Sequence, residues 1–87
     1  MSGRGPDTIL RKLGDSLEKP MATEQQIRMA FYEEGYGDKR TQHWWDFYRT
    51  PKCRIIMPLT KDGQLVRNEK NEQLYTCKFW LPEDVRI

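Results

Sequence analysis

Aromatic and basic residues are concentrated in one short segment of the chain, residues 39–54, with the sequence KRTQHWWDFYRTPKCR. It contains four aromatic and five basic residues and only one acid, Asp46: Trp44, Trp45, Phe47, Tyr48, Lys39, Arg40, Arg49, Lys52 and Arg54. Basic groups bind phosphate oxygens and exposed rings stack on bases, so this composition is typical of a surface that binds polyanions. It is equally typical of a helix that buries an aromatic side and exposes a basic one.

Residues for catalysis are scarce. His43 is the only histidine. A role as an imidazole on the helix surface is a simpler interpretation than a role as a general base. The acidic pairs Glu33–Glu34 and Glu83–Asp84 are neighbours in sequence, so their carboxylates do not converge on one point. No spacing typical of a metal site or a phosphate-binding loop is present. The sequence therefore predicts a protein that is not an enzyme and has no cofactor, metal or small-molecule substrate.

Length and charge fit one small domain. The chain has 87 residues, which predicts a single small core, and its three Trp, four Tyr and three Phe argue against a wholly disordered protein. Residues 1–38 carry five basic and seven acidic groups, whereas residues 39–87 carry ten basic and six acidic groups. The basic second part is compatible with a phosphate-backbone partner, and also with an ordinary solvated surface.

The two cysteines, Cys53 and Cys77, have neither CxxC nor zinc-type spacing. We expect both to be small buried hydrophobic residues, with a cross-strand disulfide between them as an alternative. The chain starts without an apolar targeting segment and has no run approaching the ~20 apolar residues of a membrane span. These features predict a soluble, intracellular protein of the cytoplasm or nucleus with no membrane partner.

Three helices are predicted in the first part of the chain. Asp7 can cap a helix with Ile9, Leu10, Leu13 and Leu17 on one side, which Pro20 ends, although Gly14 weakens it. Thr23 begins a capping box with Gln26, which predicts a second helix over 24–34. Asp38 or Thr41 can cap a third helix over about 41–50, which ends before Pro51.

Strands are predicted after that point. Alternation from Cys53 to Thr60 predicts a strand with Cys53, Ile55, Met57 and Leu59 on one face, and Pro58 places it at an edge or a bulge. Asp62-Gly63 is a strong signal for a two-residue hairpin turn, from which residues 64–67 return. Residues 73–81 form the last predicted strand, which Pro82 stops.

The predicted fold class is α+β: three short helices followed by a two- or three-stranded antiparallel sheet. In this order of elements, residues 7–81 resemble a winged-helix domain. We expect a flexible leader over 1–5, one compact domain over 6–82 and a short tail over 83–87. The predicted core combines the apolar helix and strand positions with the aromatic side of the third helix: Ile9, Leu10, Leu13, Leu17, Ile27, Phe31, Trp44, Phe47, Tyr48, Ile55, Met57, Leu74, Cys77 and Phe79.

The leading functional hypothesis is a small regulatory or nucleic-acid-binding domain with DNA or RNA as its partner. The winged-helix resemblance implies that the third helix enters the major groove and that the hairpin forms a wing. The candidate contacts are the polar and basic residues of those two elements and of the segment between them: Lys39, Arg40, Gln42, His43, Arg49, Lys52, Arg54, Lys61 and Arg67. Among them, Gln42 suits adenine, Arg40 suits guanine, and Lys52 and Arg54 suit phosphates.

The alternative hypothesis is a protein–protein interaction module, such as a regulator, an inhibitor or an accessory subunit of a larger complex. Trp45 and Trp80 are the rings hardest to place in a core, and exposed aromatic residues dominate interface hot spots. The last strand lacks a protecting proline, so it can pair with a partner's sheet if it lies at an edge. The candidate contacts for this hypothesis are Trp45, Trp80, Tyr75 and Lys78.

Overall fold

The computed structural model describes residues 5–81. The predicted leader over 1–5 lies outside that range except for Gly5, and the predicted tail over 83–87 lies outside it entirely. Three helices pack against a small antiparallel sheet, most of which follows them in the chain, so the predicted α+β class is confirmed. None of the helices within residues 5–81 combines the length and the apolar character of a membrane span.

The first two helices begin where local chemistry favours it. Helix α1 is Pro6–Ser16, with Gly5 as its N-cap, so the prediction that Asp7 caps it was wrong by two positions. Pro6 suits the first helical position because its missing N–H would have no partner there. Helix α2 is Glu24–Glu33, and its predicted capping box is present: the Gln26 N–H donates to Thr23 Oγ1 at 3.2 Å, and the Thr23 N–H donates to Gln26 Oε1 at 2.9 Å.

Helix α3 is Asp38–Tyr48 and starts one turn earlier than the predicted 41–50. Gly37 is its N-cap, and Asp38 places a carboxylate in the first turn, where the helix dipole favours it. The segment from Thr50 to Arg54 follows as a tight turn, in which the Thr50 carbonyl accepts from the N–H groups of Cys53 at 3.1 Å and Arg54 at 2.9 Å. This turn occupies the start of the predicted 53–60 strand.

The main sheet has three strands in the order β1, β5, β2. They are β1 (Ala22–Thr23), β5 (Leu74–Cys77) and β2 (Ile56–Pro58), and both pairings are antiparallel. The predicted strand over 73–81 ends at Cys77, and Lys78–Trp80 forms a 3-10 turn instead. Because β5 is central, the edge position on which its pairing with a partner's sheet depended is not realised.

The hairpin forms at the predicted Asp62-Gly63 turn. Strands β3 (Thr60–Lys61) and β4 (Gln64–Leu65) pair as a separate two-stranded ladder. Asp62 has φ 53° and Gly63 has φ 79°, which are the positive values that a type I′ turn requires at both positions. The prediction for this element is confirmed.

The core lies between the helices and the three-stranded sheet. Its buried members come from every major element: Ile9, Leu10, Ala22, Ile27, Phe31, Tyr36, Trp45, Tyr48, Ile56 and Cys77. The prediction was wrong for Phe47, which is exposed, and incomplete for Leu13, Leu17, Trp44, Ile55 and Phe79, which are partly buried at the edge of the core. Met57 and Leu74 are also only partly buried.

The two cysteines are free thiols, so the alternative of a disulfide is not realised. Cys77 is fully buried, as predicted, whereas Cys53 is only partly buried. Burial raises the pKa of the Cys77 thiol to about 12, so this group remains a protonated core residue at neutral pH.

Candidate nucleic-acid interface

Helix α3 divides its residues sharply between two sides. Thr41, Trp45 and Tyr48 point inward and are 0%, 2% and 3% exposed, respectively. Their spacing of four and then three residues keeps them on one side of the helix. Lys39, Arg40, Gln42, His43, Asp46 and Phe47 are exposed. We call these six exposed residues the outward side of α3.

Two aromatic contacts fix the inward side. The Trp45 ring meets Tyr75 of the central strand edge to face, with centroids 4.9 Å apart. The Tyr48 hydroxyl donates to the Asp7 carboxylate near the start of α1. Burial, followed by this hydrogen bond, raises the pKa of Tyr48. These contacts anchor α3 to the sheet and to α1, and thereby determine its rotation.

A polar network joins α2 to the outward side of α3. The Arg28 guanidinium donates from Nε to Glu24 Oε2 and from Nη2 to Gln42 Oε1, both at 2.6 Å. Gln42 Nε2 in turn donates to Asp46 Oδ1 at 2.9 Å. Arg49 Nη2 lies 3.6 Å from the same Asp46 oxygen. The single acid of the segment is therefore paired with an arginine and accepts a hydrogen bond from an amide.

Arg28 is the least exposed charged member of this network. Its side chain is 17% exposed, and its guanidinium carbon lies 5.8 Å from the centroid of the Trp45 ring. Burial lowers the pKa of Arg28, but its hydrogen bonds to Glu24 and Tyr32 outweigh that effect, and the pKa is raised. The residue therefore remains charged and provides a fixed donor beside Gln42.

Two other arginines lie over aromatic rings. The Arg40 guanidinium carbon is 3.8 Å from the centroid of Tyr36, and that of Arg49 is 4.5 Å from the centroid of Trp45. Such stacking restricts a guanidinium while leaving its N–H groups available at the edge. His43 lies against Trp44 and Phe47, with ring centroids 4.9 and 6.3 Å away. Each of these exposed groups thus rests on an aromatic ring.

The structure places all nine predicted nucleic-acid contacts on the exposed surface. Lys39, Arg40, Gln42 and His43 share α3, and Arg49 follows it directly. Lys52 and Arg54 lie in the Thr50–Arg54 turn, where Arg54 has φ 49°. Lys61 lies on the hairpin strand β3, and Arg67 lies beyond β4, where its guanidinium donates to the Asn71 carbonyl at 3.2 Å.

The four residues predicted for a protein interface lie mainly inside the fold. Trp45 is buried, and Trp80, Tyr75 and Lys78 are partly buried. The Trp80 indole covers Gly14 of α1 and donates from Nε1 to the Leu10 carbonyl at 2.7 Å. Trp45 and Trp80, the rings hardest to place in a core from the sequence, therefore do not form an exposed aromatic patch.

Sequence reasoning missed Arg28, because its role depends on α2 lying beside α3. The only local signal was its place four residues after Glu24, which favours an ion pair on a helix. Phe47, which is 46% exposed, was predicted to lie in the core because it shares helical spacing with Trp44 and Tyr48. Within residues 5–81, no group of three His, Cys, Asp or Glu side chains is arranged to hold a metal ion.

No protein-family model, curated protein or solved structure matches this chain.

Proposed function

We propose that this domain is a non-enzymatic binding protein for nucleic acid, with duplex DNA as the substrate and α3 as the element that enters the major groove. The observation that carries the proposal is the division of α3. Two of its large rings, Trp45 and Tyr48, are buried, so basic and amide groups predominate on the outward side, beside Phe47 and the single acid Asp46. Such groups form hydrogen bonds with phosphates and base edges.

The form of nucleic acid follows from helix geometry. The major groove of B-form DNA is about 12 Å wide and admits an α-helix, whereas that of A-form RNA is too narrow for side chains to read. An α-helix that exposes polar side chains therefore suits duplex DNA better than duplex RNA. Single-stranded binding needs exposed rings on which bases can stack. On α3, Phe47 is the largest ring that is exposed.

The basic residues that follow α3 in the chain are suited to contact phosphates. Lys52 and Arg54 are exposed in the turn that follows the helix, and the Thr50 carbonyl anchors this turn. Lys61 is exposed on the hairpin. Contacts of this kind fix the orientation of a protein on DNA and make its affinity dependent on salt.

The alternative, a protein-interaction module, receives less support because its predicted surface is largely packed inside the fold. The central position of β5 leaves it no free edge for a partner strand. Trp80 is engaged with Gly14 and Leu10 of α1. We therefore favour DNA as the partner, with regulation as the broader role.

Fluorescence anisotropy between 50 and 200 mM salt tests the proposal with a labelled random duplex DNA, single-stranded DNA and duplex RNA. We expect micromolar binding that prefers duplex DNA and weakens steeply with salt. Lys52→Ala and Lys61→Ala should each lower the log–log salt slope by about 0.9, because each removes one of the proposed phosphate contacts.

The matched control is Lys12→Ala, which removes the same charge from α1, where Lys12 pairs with Glu34 at 3.2 Å. Its salt slope should equal that of the unmodified protein. Absence of binding at 50 mM salt, or equal slope losses for Lys12→Ala and Lys52→Ala, would contradict the proposed function.

A further inference from the structure

The Gln42 amide is held at both ends, although Gln42 is exposed on α3. Its Oε1 accepts from Arg28 Nη2 at 2.6 Å, and its Nε2 donates to Asp46 Oδ1 at 2.9 Å. Arg28 has only donors and an ionised Asp46 has only acceptors. The opposite orientation of the amide would set its NH2 against the guanidinium and its oxygen against the carboxylate. The two neighbours therefore select one orientation of the amide.

This arrangement leaves a defined pair of hydrogen-bonding groups unused. A glutamine amide has two acceptor sites on its oxygen and two N–H donors. Arg28 and Asp46 take one of each. One acceptor and one donor remain on the exposed side chain. Adenine presents an N7 acceptor and an N6 donor in the major groove, which is the complementary pair.

We propose that Arg28 and Asp46 are positioning residues that orient Gln42 to read an adenine in the major groove, so that the domain recognises a DNA sequence containing an A·T pair rather than duplex DNA in general. This inference rests on the proposed function. In this arrangement Gln42 alone contacts the base and provides the sequence selectivity, whereas Arg28 and Asp46 contact Gln42 and no base.

The positioning residues are themselves held in place. Glu24 accepts from Arg28 Nε at 2.6 Å, and Arg28 has a side-chain exposure of only 17%. Asp46 is 59% exposed and lies beside Arg49, so its charge is partly balanced on the side that would face DNA. Arg28 is therefore the firmer of the two supports, and Asp46 is the one whose charge opposes DNA.

Selection from a randomised duplex library, followed by competition with single-base variants of the enriched site, tests the inference. For the unmodified protein we expect adenine to be favoured at one position by roughly 5- to 150-fold, the discrimination typical of one bidentate contact. Gln42→Ala should abolish that preference. Arg28→Met should reduce it several-fold, because the thioether retains packing beside Trp45 but donates no hydrogen bond.

A second variant separates positioning from charge. Asp46→Ala removes a negative charge beside the DNA, so it should tighten overall binding while it reduces the adenine preference. A merely structural role would not change affinity and selectivity in opposite directions. Lys39→Ala is the control for lost charge: it should weaken binding to all duplexes and leave the adenine preference unchanged. Far-UV circular dichroism checks that each variant is folded.

The outcomes distinguish this inference from the function on which it rests. Salt-dependent duplex binding with no adenine preference, or with a preference that survives Arg28→Met and Asp46→Ala, would overturn the inference and leave DNA binding intact. Absence of duplex binding by the unmodified protein at low salt would overturn both.

Discussion

The corner where α1 meets the 3-10 turn and the outward side of α3 are both built from aromatic rings and basic side chains. At the corner, the Trp80 indole covers Gly14 and donates to Leu10, and the Arg11 guanidinium carbon lies 4.1 Å from the centroid of Phe79. On α3, the exposed Phe47 lies near the C-terminal end of the helix and stacks on His43, with ring centroids 6.3 Å apart.

The two regions differ in where the aromatic rings find their packing and hydrogen-bonding partners. At the corner, the indole N–H and the indole ring both have partners in α1, so Trp80 contributes to the packing of the fold. On the outward side of α3, the largest rings turn inward and leave the polar groups exposed. Similar composition thus stabilises the fold in one region and forms a candidate binding surface in the other. Local composition alone does not distinguish the two.

Trp80→Ala should have the largest effect on stability. It removes a partly buried indole and its hydrogen bond to Leu10, and should lower the free energy of unfolding by about 3 kcal/mol. Urea denaturation followed by circular dichroism measures this change. Phe47→Ala is the control from α3, and it should change the free energy by less than about 1 kcal/mol. Equal losses for both variants would remove the distinction between the regions.

Gly14→Ala should also destabilise the protein, although helix propensity alone predicts that alanine would stabilise α1. Alanine favours a helix over glycine by about 1 kcal/mol, but a Cβ at this position would lie 2.3 Å from Trp80 Cδ1. Displacing the indole should outweigh the gain and give a net loss of about 1–2 kcal/mol.

The control for Gly14→Ala is Asp15→Ala, which changes helix propensity at the neighbouring exposed position without a contact to the indole. This variant should retain or slightly raise stability. A Gly14→Ala protein that melts above the unmodified protein would show that Trp80 does not need the space above α1.

Thr41→Val should give the smallest change, with the opposite sign. Thr41 is fully buried on the inward side of α3, and its Oγ1 has no hydrogen-bond partner within the described residues. Valine has nearly the same shape without the hydroxyl, so the free energy of unfolding should rise by about 1 kcal/mol.

Thr50→Val is the matched control in the same denaturation experiment. Its hydroxyl donates to the Phe47 carbonyl at 2.9 Å and accepts from the Cys53 N–H at 3.3 Å, so its loss should destabilise by about 1 kcal/mol. Destabilisation by Thr41→Val would mean that this hydroxyl has a partner, such as a buried water.

Elements with local signals were predictable from the sequence. The Thr23–Gln26 capping box and the Asp62-Gly63 turn depend only on residues within a few positions of each other. Strand β1 has only two residues, too few for any periodic pattern, and it forms because β5 lies beside it. The pairing partner of Ala22 is Tyr75, far along the chain.

Two orientations were not predictable from the sequence: which side of α3 is buried, and which face of β2 points to the core. Trp44, Phe47 and Tyr48 lie at helical spacing, but so do Thr41, Trp45 and Tyr48, and the choice depends on Tyr75 across the fold. The adjacent apolar residues Ile55 and Ile56 likewise leave either face possible. Pairing of Ile56 with Cys77 decides it, with Ile56 1% exposed.

The candidate site was predictable in location and not in detail. Basic composition indicated α3 and the segment after it, because charge patterning is local. The network from Arg28 through Gln42 to Asp46 was not predictable, since it joins two helices. Its geometry depends on how α2 packs against α3, which no spacing within one helix specifies.

Mapping DNA binding by amide chemical shifts in a 15N-labelled sample tests the central claim most directly, namely that the outward side of α3 forms the binding surface. On titration with a short duplex, the largest shifts should fall on the outward side of α3, on Thr50–Arg54 and on the β3–β4 hairpin. Residues of the groove between α1 and α2, such as Leu13 and Met29, should change little. Largest shifts in that groove, or none where anisotropy reports binding, would contradict the account.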